Sequence, residues 1–158
     1  LNENHGEWYY EMHELGFNYR MTDMQAAMGL EQLKRNNSWQ EKRRKMVRFY
    51  DTEIGSIDGL SHQKHPDKDG GYSYHLYVIQ SERRDELYSF LKVNGVNTQV
   101  HYIPIHLQPY YKKHFGYKRG DFPKVEAYYN KALSFPLYPG LKNSEQDKVI
   151  QLVKEFHA

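Results

Sequence analysis

The sequence predicts an α+β fold in which helices pack on a small sheet. Three observations predict it. The stretch Tyr72 to Gln80 is aromatic and β-branched with apolar residues on both faces, as an interior strand requires. Val96 to Ile103 alternates between Val96, Thr98, Val100 and Tyr102 on one side and Asn97, Gln99 and His101 on the other, which reads as a second strand. Helical patterns surround both, and strands separated and flanked by helices at these lengths make an α+β unit. The 158 residues suffice for one domain with a real core.

Taken in order, residues 1–15 carry Trp8, Tyr9, Tyr10, Met12 and Leu15 without a clean period and read as an irregular lead-in, with His5 and His13 at the surface. Thr22 followed by Gln25 forms a capping box, so a helix is expected from Thr22 to about Lys34, with Asp23 favouring the positive end of its dipole. Met24, Ala27 and Met28 line one side and Ala26, Leu30 and Leu33 an adjacent one. Asn36-Asn37-Ser38 is expected to break the pattern, with Ser38 capping a second helix from Trp39 to Ile54 that stops at Gly55. Residues 58–71, rich in Gly and Asp and carrying His62 and His65, read as loop. A helix over Arg83 to Asn94 follows, with Ser81 as candidate cap, Leu87, Phe90 and Leu91 inward and Gly95 beyond its end. Asp121 is expected to cap a helix that opens at Pro123. Ser134 to Gly140 reads as a Pro-bounded edge strand, and Ser144 as the cap of a last helix striped by Val149, Leu152, Val153 and Phe156.

Composition narrows the function classes. The formal charge of +2 gives no bulk electrostatic case for nucleic acid or for an anionic membrane. The cluster Lys42-Arg43-Arg44-Lys45 with Arg48 is diluted by Glu41, Asp51 and Glu53 and reads as a solvated helix face. No apolar run is long enough for a membrane span. The absence of Cys excludes disulfides and thiolate-bound zinc and fits a reducing, cytoplasmic setting. Fifteen Tyr in a chain of mean hydropathy −0.94 are too many for one small core, and Tyr suits interfaces and sugar-lined clefts.

Two segments carry candidate chemistry. In Gly16-Phe17-Asn18-Tyr19-Arg20-Met21-Thr22-Asp23-Met24-Gln25-Ala26-Ala27, the amide of Asn18 and the guanidinium of Arg20 precede a capped helix start. Such donors suit a phosphate or carboxylate, and equally a well-capped surface helix. In His101-Tyr102-Ile103-Pro104-Ile105-His106-Leu107-Gln108-Pro109-Tyr110-Tyr111, the two prolines place His101, Tyr102 and His106 near a strand terminus and its loop. Imidazole and phenol suit the hydroxyls of a polar ligand. A structural role for all three is the competing reading, and two His without a nearby acid are too few for a metal.

The first segment closely resembles a signature of the DegT/DnrJ/StrS family of sugar aminotransferases, which use pyridoxal 5′-phosphate (PLP). The His-Tyr-x-Pro-x-His segment followed by Pro-Tyr-Tyr resembles that family's small domain, as does the small-residue-x-Pro-x-tyrosine run at Ser134 to Tyr138. The resemblance covers about residues 16–157. It implies a fold-type I aminotransferase, with residues 1–38 ending the large PLP domain, 39–57 a long connecting helix and 58–158 the small C-terminal domain, so that a helix pair precedes helices packed on a small, mainly antiparallel sheet. It implies that Asn18, with Arg20 beside it, binds the PLP phosphate of a partner subunit across a homodimer interface, and that His101, Tyr102 and His106 border a nucleotide-sugar cleft. The implied reaction moves an amino group from an amino acid, most often glutamate, to a nucleotide-linked keto sugar. Within the family, the expected substrates are UDP-linked 4-keto-6-deoxy-N-acetylhexosamines.

A PLP transaminase also needs a lysine to hold the cofactor. In the family that lysine lies upstream of the Asn18 loop, and no lysine here stands in a matching motif. The chain, which begins at Leu1, is therefore expected to be the C-terminal part of such an enzyme, inactive alone and with no catalytic residue of its own. The competing functions are a non-enzymatic carbohydrate- or protein-binding module built on the Tyr-rich surface, and an RNA-binding domain.

Overall fold

The computed structural model describes residues 6–64 and 72–158; His5 and the loop residues His65 to Gly71 lie outside them. Two compact units result, Leu1–Arg35 and Asn36–Ala158, each described by itself.

The first unit holds the lead-in, the Asn18 loop and the opening of helix α1 (Asp23–Ile54). The capping box forms as the residue types dictate. The Thr22 amide donates to Gln25 Oε1 at 3.0 Å, and the Gln25 amide donates to Thr22 Oγ1 at 3.3 Å. The expected break at Asn36-Asn37-Ser38 is absent: one helix replaces the expected pair. Asn and Ser cost only tenths of a kcal/mol each in a helix interior, roughly 0.5 kcal/mol, and neither Gly nor Pro stands there. Ion pairs one turn apart flank the weak point, with Arg35 Nη2 2.7 Å from Glu31 Oε1 and Arg44 Nη1 3.7 Å from Glu41 Oε2.

The second unit contains a three-stranded antiparallel sheet in the order β1-β2-β3. Its strands are β1 (Leu60–His62), β2 (Tyr77–Ser81) and β3 (Ala132–Phe135), with Leu60 opposite Ser81, and Tyr77 and Ile79 opposite Phe135 and Leu133. The central strand is β2, as its apolar character on both faces predicts, although it begins five residues later than the aromatic run does. Against the sheet pack the second half of α1 (Met46, Val47, Tyr50, Ile54), α2 (Arg84–Val93; Leu87, Leu91) and α5 (Asn143–His157; Val149, Ile150, Leu152, Val153). Two tyrosines carry their polar tips into this core and satisfy them there. Tyr50 donates to the Pro136 carbonyl at 3.1 Å and Tyr77 to Asp51 Oδ1 at 2.9 Å. Burial pushes both phenols above their usual range, and the Asp51 carboxylate pushes Tyr77 further.

Several local expectations are corrected. Val96 to Ile103 is not a strand: it alternates in burial as far as Val100 but makes one bridge, Gln99 to Ser134. Its neighbour β3 is four residues long, with a helix ending at Lys131 before it and Pro136 after it, so in the antiparallel register of Gln99 and Ser134 no ladder remains before Thr98 or beyond His101. The extended segment starts at Ala132 rather than Ser134. Ser81, Asp121 and Ser144 do not cap their helices. Ser81 Oγ accepts from the Arg83 amide at 3.1 Å, Asp121 accepts from the Lys118 amide at 2.9 Å, and the last helix starts at Asn143 with Glu145 accepting the Lys142 amide at 2.8 Å. Short helices α3 (Pro109–Phe115) and α4 (Pro123–Lys131) both open on proline, where the missing N–H costs nothing.

Candidate functional site

The Asn18 loop lies in the first unit. Asn18 and Arg20 are exposed, and among the described residues neither side chain takes a protein partner. Their loop is short and turned on itself, the Tyr19 amide donating to the Phe17 carbonyl at 3.1 Å. It delivers both donors to the amide end of α1. Around them Phe17 is 88% exposed and Tyr19 79%, and Met21, Met24, Met28, Leu30 and Leu33 are exposed as well. These side chains give the first unit a run of exposed apolar residues beside the Asn18 loop.

His101, Tyr102 and His106 lie in the second unit, where β3 and the segment after Gln99 meet. His101 is half-buried, with Nδ1 2.9 Å from Ser134 Oγ. The Tyr102 ring stands edge-on to it at 4.7 Å and is 72% exposed, so its hydroxyl is open to a ligand. His106 is placed differently. It occupies a 3₁₀ turn (Ile105–Leu107) and is buried, with Nε2 2.9 Å from Glu126 Oε1 and its ring 4.8 Å from that of Phe122. The Glu126 carboxylate also accepts the Gly120 amide at 2.8 Å. These donors, His106 first and the Gly120 amide second, hold the Glu126 carboxyl below the usual carboxylate range. An ionised carboxylate only accepts, so His106 carries a proton on Nε2. His106 thus pins its loop to α4 and does not present that nitrogen to a ligand.

Sequence reasoning missed Ser134 and Glu126. Ser134 stands in the small-residue-x-Pro run, but nothing local points to His101. Glu126 is the single acid of its short helix, and nothing near it in sequence points to His106. Among the described residues, no three His, Cys, Asp or Glu side chains gather where they could hold a metal. No helix of the described residues is long and apolar enough to cross a membrane.

Comparison with known proteins gives these two loops a context. The sequence profile of the DegT/DnrJ/EryC1/StrS aminotransferase family matches residues 2–154. The chain belongs to that family. Among relatives of the DegT/DnrJ/EryC1/StrS family, it is 41% identical to the spore coat polysaccharide biosynthesis protein SpsC of Bacillus subtilis, with 97% of this chain aligned to 41% of SpsC. It is 35% identical to the UDP-4-amino-4,6-dideoxy-N-acetyl-beta-L-altrosamine transaminase of Campylobacter jejuni, over 83% of this chain and 35% of the relative. Among solved structures, S. venezuelae DesV in complex with a ketimine intermediate superposes with a TM-score of 0.84 at 31% identity, covering 96% of this chain and 41% of DesV. This chain therefore has the fold of the corresponding part of those structures. The chain spans about two-fifths of the length of these relatives.

Proposed function

We propose that this chain supplies the phosphate-contacting loop and the small-domain side of the substrate cleft in a PLP-dependent aminotransferase. The enzyme transfers an amino group from an amino acid, glutamate being the first candidate, to a nucleotide-linked keto sugar for cell-surface polysaccharide or glycan synthesis. It works as a cytoplasmic homodimer. The observation that carries this reading is the Asn18 loop: an unpartnered amide and guanidinium held beside the capped amide end of a 32-residue helix. That donor set fits a phosphate monoester.

Asn18 donates its amide N–H to phosphate oxygens, and Arg20 neutralises their charge with a planar donor fork. The surrounding apolar face excludes water once a partner subunit covers it, which strengthens both contacts. When bound, PLP supplies the electron sink that stabilises a carbanion next to nitrogen. His101 and Tyr102 meet the sugar: the phenol donates or accepts at a hydroxyl, and the imidazole holds the adjoining oxygen. His106 acts behind them by fixing the loop. The lysine that holds the cofactor and moves the proton lies outside residues 1–158 in this reading. The UDP-linked 4-keto-6-deoxy-N-acetylhexosamines are the first substrates to test, on the strength of the Campylobacter jejuni relative.

Two measurements test the proposal. Borohydride treatment with PLP, followed by peptide mapping, should fix no cofactor on any lysine of residues 1–158; a labelled lysine here overturns the division of labour. In the full-length protein that carries this segment, Asn18→Ala should weaken PLP retention at least tenfold, read by the cofactor absorbance left after dialysis. Unchanged retention removes Asn18 from the phosphate site.

A further inference from the structure

We infer that Ser134 is a positioning residue that holds the His101 ring and fixes which of its nitrogens faces the substrate. This rests on the reading of His101 as a sugar contact. Ser134 lies in β3 and is 4% exposed. Its main chain is held on both sides. On one side it pairs with Val78 of β2; on the other it exchanges two hydrogen bonds with Gln99, at 2.7 and 3.2 Å. Gln99 and His101 are two apart in an extended segment and so share a face. That register carries the imidazole over the Ser134 side chain and brings Nδ1 to 2.9 Å from Oγ.

Packing alone does not call for a hydroxyl at this position. Leu133 and Phe135 on either side are buried apolar residues, and alanine would fill the same space. A buried hydroxyl costs stability unless it is bonded, and among the described residues its side-chain partner is His101. The Tyr102 ring, 4.7 Å away, restrains the imidazole as well. Nε2 is then the nitrogen left without a protein partner. A neutral imidazole without a bond at Nδ1 divides between two tautomers; the Ser134 hydroxyl is buried with no other acceptor among the described residues, so it donates to Nδ1 and leaves the ring proton on Nε2. Ser134 thereby decides whether His101 donates to or accepts from the sugar.

The test uses histidine-selective ¹⁵N labelling of the full chain, with His101 assigned by its loss in His101→Gln. Wild type and Ser134→Thr, which keeps the hydroxyl, should show His101 as a single tautomer; Ser134→Ala should show a mixture. In the full-length protein, Ser134→Ala should raise KM for the nucleotide sugar about fivefold, leave KM for the amino donor unchanged, and be rescued by Ser134→Thr. An identical tautomer distribution in wild type and Ser134→Ala overturns the role of Ser134. Failure of His101→Gln to change the nucleotide-sugar KM instead overturns His101 as a substrate contact, and the tautomer measurement separates the two failures.

Discussion

His106 Nε2 lies 2.9 Å from Glu126 Oε1, and both side chains are buried. One contact joins the 3₁₀ turn that ends the His101 segment to helix α4, and through the Gly120 amide it also fastens the loop between α3 and α4. The carboxylate is satisfied from two directions, which makes it stable where an isolated buried charge would not be.

Acid sensitivity follows. The folded-state pKa of Glu126 lies below the usual value of 4.5, so its carboxylate contributes stability above that value. That contribution falls away as pH drops through the lower folded pKa. Glu126→Gln removes this part of the acid limb: thermal melts between pH 6 and 3 should show a smaller loss of Tm for the variant than for wild type. Parallel acid limbs would show that the pair does not couple to folding.

Arg84 is 7% exposed and donates to the carbonyls of Tyr129 and Ala132 at 3.1 and 3.3 Å, closing the end of α4 where β3 begins. Arg84→Ala leaves these carbonyls unpaired and should cost about 2–3 kcal/mol. Arg84→Lys should recover only part of this, since an ammonium lacks the planar fork. Urea unfolding of the full chain measures both.

Gly95 adopts φ +78° after α2, and the Gly95 and Val96 amides return to the Lys92 and Leu91 carbonyls at 3.1 and 2.8 Å. Those paired bonds end the helix in a left-handed residue. A Cβ at Gly95 meets only ordinary contact with Lys148, so its cost is conformational. Gly95→Ala should lose about 1–2 kcal/mol, seen as a lower urea midpoint with an unchanged slope.

The capping box of α1 is exposed, so its effect should be local. Thr22→Ala removes the acceptor for the Gln25 amide and should weaken the first turn by about 1 kcal/mol. Hydrogen exchange at Gln25 and Ala26 should quicken while Met46 and Val47 are unaffected. Equal acceleration along the whole of α1 would contradict a local cap.

What was legible in the sequence is what local chemistry decides. Thr22 and Gln25 bond each other wherever the chain turns into that helix, and Gly95 stops α2 because only glycine takes its backbone without strain. The apolar run around Tyr77 and Ile79 already described a strand covered on both faces. The family wording of the Asn18 and His101 segments was likewise complete in the order of residues.

Other features depended on partners distant in the chain. Asn36-Asn37-Ser38 read as a break because those residues favour caps, yet their small penalties are overridden when the turns on both sides are paired by charge. Val96 to Ile103 has the alternation of a strand, but a strand needs a neighbour with free backbone groups, and β3 offers only Ala132 to Phe135 between a helix and Pro136. His106 and Glu126 stand twenty residues apart, and His101 and Ser134 thirty-three. The sequence by itself determined caps, stops and side-chain periodicity, which are settled within a turn or two of backbone. Only the tertiary structure decided which histidine is buried against an acid and which is held by a serine with one nitrogen free, because that choice is made by elements the chain brings together after long intervals.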